Sequence, residues 1–175
     1  MKKLLVTVSV ITLVPLIVIA CHGGSDDSSS SQTPQQQIQQ LEASGVIPAL
    51  DRSTDLKGPD ADNNGLRDDI DSYVAKQGYT AIQKMAVLQY AKALQAAVVA
   101  HTTDRPTAIT LSDKVDYAIN CVYAQFSNAN DAYQINDLYQ KLIVNTAARM
   151  NSYLGYNHAL NGTVSASLTG DTCEK

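Results

Sequence analysis

The twelve residues 60–71, which read DADNNGLRDDID, constrain this chain more than any other stretch. Groups that can offer an oxygen fall at the first, third, fifth, seventh, ninth and twelfth positions, and glycine falls at the sixth. These six residues are Asp60, Asp62, Asn64, Leu66 (through its backbone carbonyl), Asp68 and Asp71. Ca²⁺ prefers hard oxygen ligands in a flexible shell, and Gly65 permits the sharp turn that the loop needs. The spacing therefore predicts a calcium site.

The stretch resembles the single D-x-D-x-N-G-x-x-D-x-x-D loops of dockerin-like, thrombospondin-type-3-like and other EF-hand-like bacterial envelope proteins. The resemblance covers only these residues and implies calcium binding. It departs from a full EF-hand in three ways: Gly58 and Pro59 disfavour an entering helix, Arg67 stands where an apolar residue is usual, and Asp71 replaces the usual Glu. Since no second loop of this kind occurs in the sequence, we expect a structural site and not a cooperative sensor. The alternative is a solvated turn that caps the next helix.

Residues 1–20 have the pattern of an export signal, with Lys2 and Lys3 ahead of an apolar run that is short for a membrane span. The junction V-I-A-C at 18–21 resembles the lipobox of bacterial lipoprotein signal peptides. In that family the peptide is cut before the cysteine, which is then acylated. The resemblance implies that Cys21 becomes the lipid-anchored first residue of the mature protein. An ordinary secretory signal and an uncleaved anchor helix are the alternatives.

The residues after the signal segment predict in which membrane the protein is anchored and how its domain is attached. In Gram-negative lipoproteins an aspartate directly after the cysteine favours the inner membrane, and His22 here implies the outer membrane instead. Residues 21–37 comprise the lipidated cysteine and a Ser/Gln-rich segment that lacks large apolar side chains, so we expect a disordered tether. A helical domain is predicted over 38–175, opening with a short helix at 38–44 that Thr33 and Pro34 help to start.

Apolar periodicity predicts an all-α fold, a small antiparallel helical bundle. The predicted helices span 68–77, 80–100, a segment that begins at the Thr110 and Asp113 capping pattern, and 132–154 with Gly155 as its stop. In the third of these helices, Cys121 lies off the apolar stripe that runs from Val115 to Phe126. A carboxy-terminal tail that crosses this flank could reach it, and export favours a Cys121–Cys173 disulfide over two free thiols.

The acidic net charge and the lack of known catalytic motifs in the sequence argue against several classes of function. Without Lys2 and Lys3 the chain has 11 basic and 17 acidic residues, which argues against nucleic acid and against electrostatic attraction to anionic lipid. The histidines lack catalytic zinc spacing, and no nucleophile elbow or phosphate loop occurs. We therefore expect a non-enzymatic, lipid-anchored envelope protein that binds Ca²⁺ and acts through contacts with another envelope protein. Two alternatives are an immunity or inhibitor lipoprotein that neutralises a periplasmic toxin, and a hydrolase whose cleft, for example around His101, Asp104 and Ser112, is not visible in the sequence.

Overall fold

The computed structural model describes residues 33–165 and 168–174, and this part of the chain is all-helical, as predicted. The signal segment, Cys21 and residues 22–32 lie outside the described residues. The helices are α1 (Pro34–Ala43), α2 (Asp68–Lys76), α3 (Ala81–Ala100), α4 (Arg105–Gln125), α5 (Ala129–Ile143) and α6 (Ala147–Ala159).

Helix α3 lies at the centre of the bundle and packs against α2, α4, α5 and α6. It begins where the sequence predicts, because Thr80 and Gln83 form a reciprocal capping box. It ends at His101, whose backbone is left-handed with φ 45°. Residues 101–104 then connect it to α4, and this short connection sends the two packed helices in opposite directions.

The larger of two apolar clusters in the described chain joins the loop at 60–71 to α2, α3, α4 and α5. Leu66, Ile70 and Val74 enter it from the loop and α2, and all three are fully buried. They meet Val87, Tyr90 and Leu94 of α3, Val122 of α4 and Tyr139 of α5. Full burial of an aliphatic side chain contributes about 1.5–3 kcal/mol, so the loop is joined to the bundle by its own apolar residues.

The helix at the start of the domain begins earlier than the tether prediction allows. Helix α1 starts at Pro34, so residues 34–37, assigned to the disordered tether, are helical. The reason is local: Thr33 and Gln36 form a capping box and Pro34 occupies the first turn. Ile38 and Leu41 remain 39% and 42% exposed, and they line a groove of about 600 Å³ between α1, residues 47–52 and α5.

The predicted start of the third long helix at Thr110 is wrong. Helix α4 begins five residues earlier at Arg105, with Asp104 as its N-cap. The carboxylate of Asp104 accepts hydrogen bonds from the backbone N–H and the hydroxyl of Thr107, and these bonds hold the pKa of Asp104 below its usual value. Pro106 therefore initiates this helix, because a proline in the first turn loses no helical hydrogen bond.

The predicted single helix over 132–154 is two helices. Helix α5 ends at Ile143, and α6 begins at Ala147 after Thr146 caps it by accepting from the Arg149 N–H. Gly155, predicted as the stop, lies inside α6, where a Cβ would stand 3.7 Å from the Thr103 methyl group. At the turn over 144–146, the Asn145 side chain accepts hydrogen bonds from two buried arginines, Arg67 and Arg149.

Candidate metal centre

The segment at 60–71 turns at Gly65 and leads into a helix, two local features that the sequence predicts. No helix enters it within the described residues, and α2 begins at Asp68, the ninth position. Gly65 has φ +86° and Asn63 has φ 53°, so the turn uses left-handed backbone at two positions. The N–H of Asp68 donates to the Pro59 carbonyl at 2.9 Å and closes the base of the loop.

Three of the predicted ligands converge. One carboxylate oxygen from each of Asp60, Asp62 and Asp68 lies within 4.8 Å of the other two. Asp60 sits at the centre: its side chain is only 1% exposed, and it accepts from the N–H groups of Asn64 (3.0 Å) and Gly65 (3.2 Å). These residue types are the hard oxygen donors that Ca²⁺ prefers.

The electrostatics of Asp60 favour a charged carboxylate. Burial by itself would raise the pKa of Asp60. The Gly65 N–H and the Lys57 ammonium, whose Nζ lies 3.4 Å away, hold the pKa below its ordinary value. The group is therefore ionised at neutral pH, as a cation ligand must be.

Asn64 and Asp71 are arranged differently from the prediction. The amide Nδ2 of Asn64 donates to Oδ2 of Asp62 at 2.9 Å and to Oδ2 of Asp71 at 3.2 Å. Its Oδ1 accepts from the Leu66 N–H at 2.9 Å. The amide hydrogens thus lie between two predicted ligands, and the Asn64 side chain would have to rotate to offer its oxygen to a cation. Leu66 is placed by its fully buried side chain.

Arg67, a departure from the EF-hand pattern, is a buried anchor. The side chain is 1% exposed and pairs bidentately with Asp69, with both N–O distances at 2.9 Å. It also donates to the carbonyls of Leu142 (3.2 Å) and Ile143 (3.3 Å) at the end of α5. Those carbonyls have no partner within their own helix, so a cation there is favourable. Arg67 thereby connects the loop to the end of α5.

A second buried arginine completes the network. Arg149 of α6 donates to the carboxylate of Asp51 (2.5 Å), to the carbonyls of Asp51 (2.8 Å) and Asp55 (2.8 Å), and to Oδ1 of Asn145 (2.9 Å). Arg67 donates to the same Asn145 oxygen at 3.0 Å. The Asp51 N–H donates to Oδ2 of Asp69 at 2.8 Å, which closes a ring of hydrogen bonds.

Sequence reasoning missed this network because its contacts join residues up to 98 positions apart. One local signal was available. Gly58 has φ +66°, and a Cβ added there would lie 2.7 Å from Arg67 Cδ and 2.9 Å from an Arg149 terminal nitrogen. Glycine is therefore required where the chain crosses the two guanidinium groups.

The predicted disulfide between Cys121 and Cys173 is present, with a Cα–Cα distance of 4.9 Å. Cys121 is only 1% exposed, which differs from its predicted place on a wet flank. The tail itself covers that flank. Gln89 donates to the Thr172 carbonyl and accepts from the Glu174 N–H, and the Thr172 hydroxyl donates to the Tyr117 carbonyl.

The residues suggested for a hydrolytic site lie at the α3–α4 junction and on α4. His101 is exposed, Asp104 is engaged with Thr107, and within the described ranges no hydrogen bond joins either of them to Ser112. The groove beside α1 is lined by neither His101 nor His158. Its apolar wall is formed by six aliphatic side chains: Ile38, Leu41, Ile47, Leu50, Leu138 and Leu142.

In the part of the chain that the structure covers, no helix combines the length and apolar character needed to cross a membrane. Comparisons with protein families, with curated proteins and with solved structures gave no significant match.

Proposed function

We propose that this chain is a lipid-anchored protein of the cell envelope whose helical domain binds one structural Ca²⁺ ion in the loop at 60–71 and acts through protein contacts. The convergence of the Asp60, Asp62 and Asp68 oxygens within 4.8 Å carries the metal part of the proposal. Carboxylates this close repel one another when charged, and a divalent cation offsets the repulsion.

The role of the ion is structural because of where the loop is attached. Leu66 is buried in the core and Arg67 reaches the end of α5, so the loop cannot swing without breaking the bundle's own contacts. No entering helix is present in the described chain to rotate against α2. An ion held by Asp60, Asp62 and Asp68 would therefore fix the start of α2. A sensor, in contrast, needs an element that moves on binding.

The proposed location in the cell envelope is supported by the lipobox-like junction that ends at Cys21 and by His22 after it. A lipid anchor of several acyl chains holds a domain at a bilayer without a spanning helix, since each buried methylene contributes about 0.8 kcal/mol. A disulfide between Cys121 and Cys173 is consistent with export to an oxidising compartment.

A role in protein contacts is supported by the large apolar side chains that the bundle leaves in solvent. Ile82, Met85, Tyr133 and Leu154 are each more than half exposed. Aromatic residues and methionine are enriched at protein interfaces relative to the rest of a protein surface. Without Lys2 and Lys3 the chain has 11 basic and 17 acidic residues, which favours a partner with basic groups over an acidic one.

Metabolic labelling with a palmitate analogue in a Gram-negative host tests the proposed lipidation and membrane location. The full chain should carry the label and sediment with outer membranes, while Cys21→Ser should lose the label and leave the membrane fraction. His22→Asp is the matched control, because it should keep the label and move to the inner membrane. Label that persists in Cys21→Ser would contradict the lipoprotein assignment.

A further inference from the structure

The sequence contains two Asn-Gly pairs, Asn64–Gly65 and Asn161–Gly162. The two pairs differ in the hydrogen bonds that hold their reacting atoms. Asn-Gly is the dipeptide most prone to spontaneous deamidation, because glycine lacks a Cβ to obstruct attack by its own backbone nitrogen. The reaction requires the glycine nitrogen to reach Cγ of the asparagine. A pair is therefore protected when the glycine nitrogen or the asparagine side chain is held in place.

Both reacting groups are held at Asn64–Gly65. The Gly65 nitrogen donates to the Asp60 carboxylate at 3.2 Å. The Asn64 amide donates to Asp62 and to Asp71, and its oxygen accepts from the Leu66 N–H. Each of these hydrogen bonds has to open before the nitrogen can approach Cγ, and opening carries a free-energy cost.

The pair at Asn161–Gly162 is free by comparison. It follows the end of α6, and both residues are exposed. Within the described ranges the Gly162 nitrogen makes no hydrogen bond, and a Cβ built on Gly162 would meet nothing within 4 Å. The Asn161 side chain has one polar contact, from Nδ2 to Nδ1 of His158 at 3.2 Å. The backbone on either side is held by hydrogen bonds from the Asn161 N–H to the His158 carbonyl (3.1 Å) and from the Thr163 N–H to the Leu160 carbonyl (2.9 Å), while the Gly162 nitrogen itself has no partner among the described residues.

We propose that Asn161 is a site of spontaneous deamidation and that the loop at 60–71 protects Asn64 from the same reaction. The deprotonated Gly162 nitrogen attacks Cγ of Asn161, a C–N bond forms, and the side-chain nitrogen leaves as ammonia with the proton balance completed by water. Water then opens the five-membered imide to aspartate or isoaspartate. No oxidant, reductant or enzyme is required.

The product changes the charge at one end of α6. A carboxylate at position 161 takes the formal net charge from −4 to −5. It lies beside the last carbonyls of α6, where negative charge is unfavourable, and next to His158, which can pair with it. The inference stands apart from the proposed envelope function, because it depends only on the two local geometries.

The test is a time course of the purified, disulfide-bonded full chain in mildly alkaline buffer. Samples are reduced and digested, and fragment spectra assign the mass gain of amide-to-carboxyl conversion to single residues. We expect Asn161 to deamidate about tenfold or more faster than Asn64, since Asn64 reacts only after local opening. In urea the two rates should become similar. Asn161→Gln is the matched control, because its longer side chain does not form the five-membered ring readily.

Two results would overturn the proposal. One is an Asn161 that stays intact in the folded chain while it reacts in urea. The other is an Asn64 that reacts as fast as Asn161 in the folded chain. The rate in urea serves as the unfolded reference for each asparagine in the same chain.

Discussion

Arg67 and Arg149 donate to the same acceptor, Oδ1 of Asn145, at 3.0 and 2.9 Å. Two buried cations that share one oxygen would repel each other strongly without compensation. Asp69 pairs with Arg67 and Asp51 pairs with Arg149, so the cluster is neutral. This cluster joins the loop at 60–71 to residues 51–55 and to the α5–α6 junction. The ends of three separate segments are thereby fixed against one another.

Arg149→Met should lower the free energy of unfolding by about 3–5 kcal/mol, because it leaves Asp51 and several carbonyls without their buried partner. Urea denaturation of the oxidised chain measures this. Arg52→Met is the matched control: Arg52 pairs with Glu42 at 2.6 Å, but its side chain is 52% exposed. The control should cost no more than about 1 kcal/mol. Similar losses in the two variants would mean that the Arg149 network adds no stability.

The same ion pair gives the fold a defined response to acid. The hydrogen bond from Arg149 lowers the pKa of Asp51 from 3.8 to about 2, against the opposing effect of burial and with help from Ser53. Because the folded pKa lies below the unfolded one, the stabilisation is fully present above about pH 4 and is lost as the pH falls towards 2.

This response is measured by urea denaturation over that pH range, in the wild type and in Asp51→Asn. The wild type should lose stability more steeply than Asp51→Asn between about pH 4 and pH 2, with the two profiles running parallel above it. Profiles that stay parallel down to pH 2 would show that Asp51 does not carry the effect.

Gly58→Ala should destabilise the domain more than Gly45→Ala does. Both glycines have left-handed backbone, at φ +66° and +73°, so each substitution carries about 1–2 kcal/mol of backbone strain. A methyl group at Gly58 also meets Arg67 and Arg149, whereas at Gly45 it meets no atom of the described residues within 4 Å. We expect a further loss of about 1–3 kcal/mol at Gly58 by thermal or urea unfolding. Equal effects would show that the crossing is not tightly packed.

Features with local causes were predictable from the sequence. Thr80 and Gln83 fix the start of α3, and the apolar spacing identifies α2, as their capping and burial show. Helix α4 begins ahead of the predicted start at Thr110, because Asp104 caps it and Pro106 lies in its first turn. The left-handed backbone of His101 separates the two helices.

The remaining differences have distant causes. At the break, Asn145 accepts a hydrogen bond from Arg67, which is 78 residues away, although the Thr146 N-cap is a local signal for the start of α6. In the candidate site, the carboxylates of Asp60, Asp62 and Asp68, which the sequence predicts as ligands, lie close together. The sequence did not indicate that Asn64 would direct its amide hydrogens towards Asp62 and Asp71. The choice between amide orientations is a matter of the whole hydrogen-bond network.

The most direct test of the account is the melting temperature of the full chain with Ca²⁺ and with a chelator. Extracytoplasmic sites of this kind have dissociation constants on the order of 0.1–1 mM, so calcium at about 10 mM should stabilise by roughly 1.4–2.7 kcal/mol and raise the melting temperature by several degrees. Asp62→Asn should remove most of the rise, since Asp62 is an exposed member of the carboxylate group. Asp113→Asn, an exposed change on α4, should keep it. Equal melting temperatures with calcium and with chelator, or a full rise in Asp62→Asn, would contradict a calcium site at 60–71.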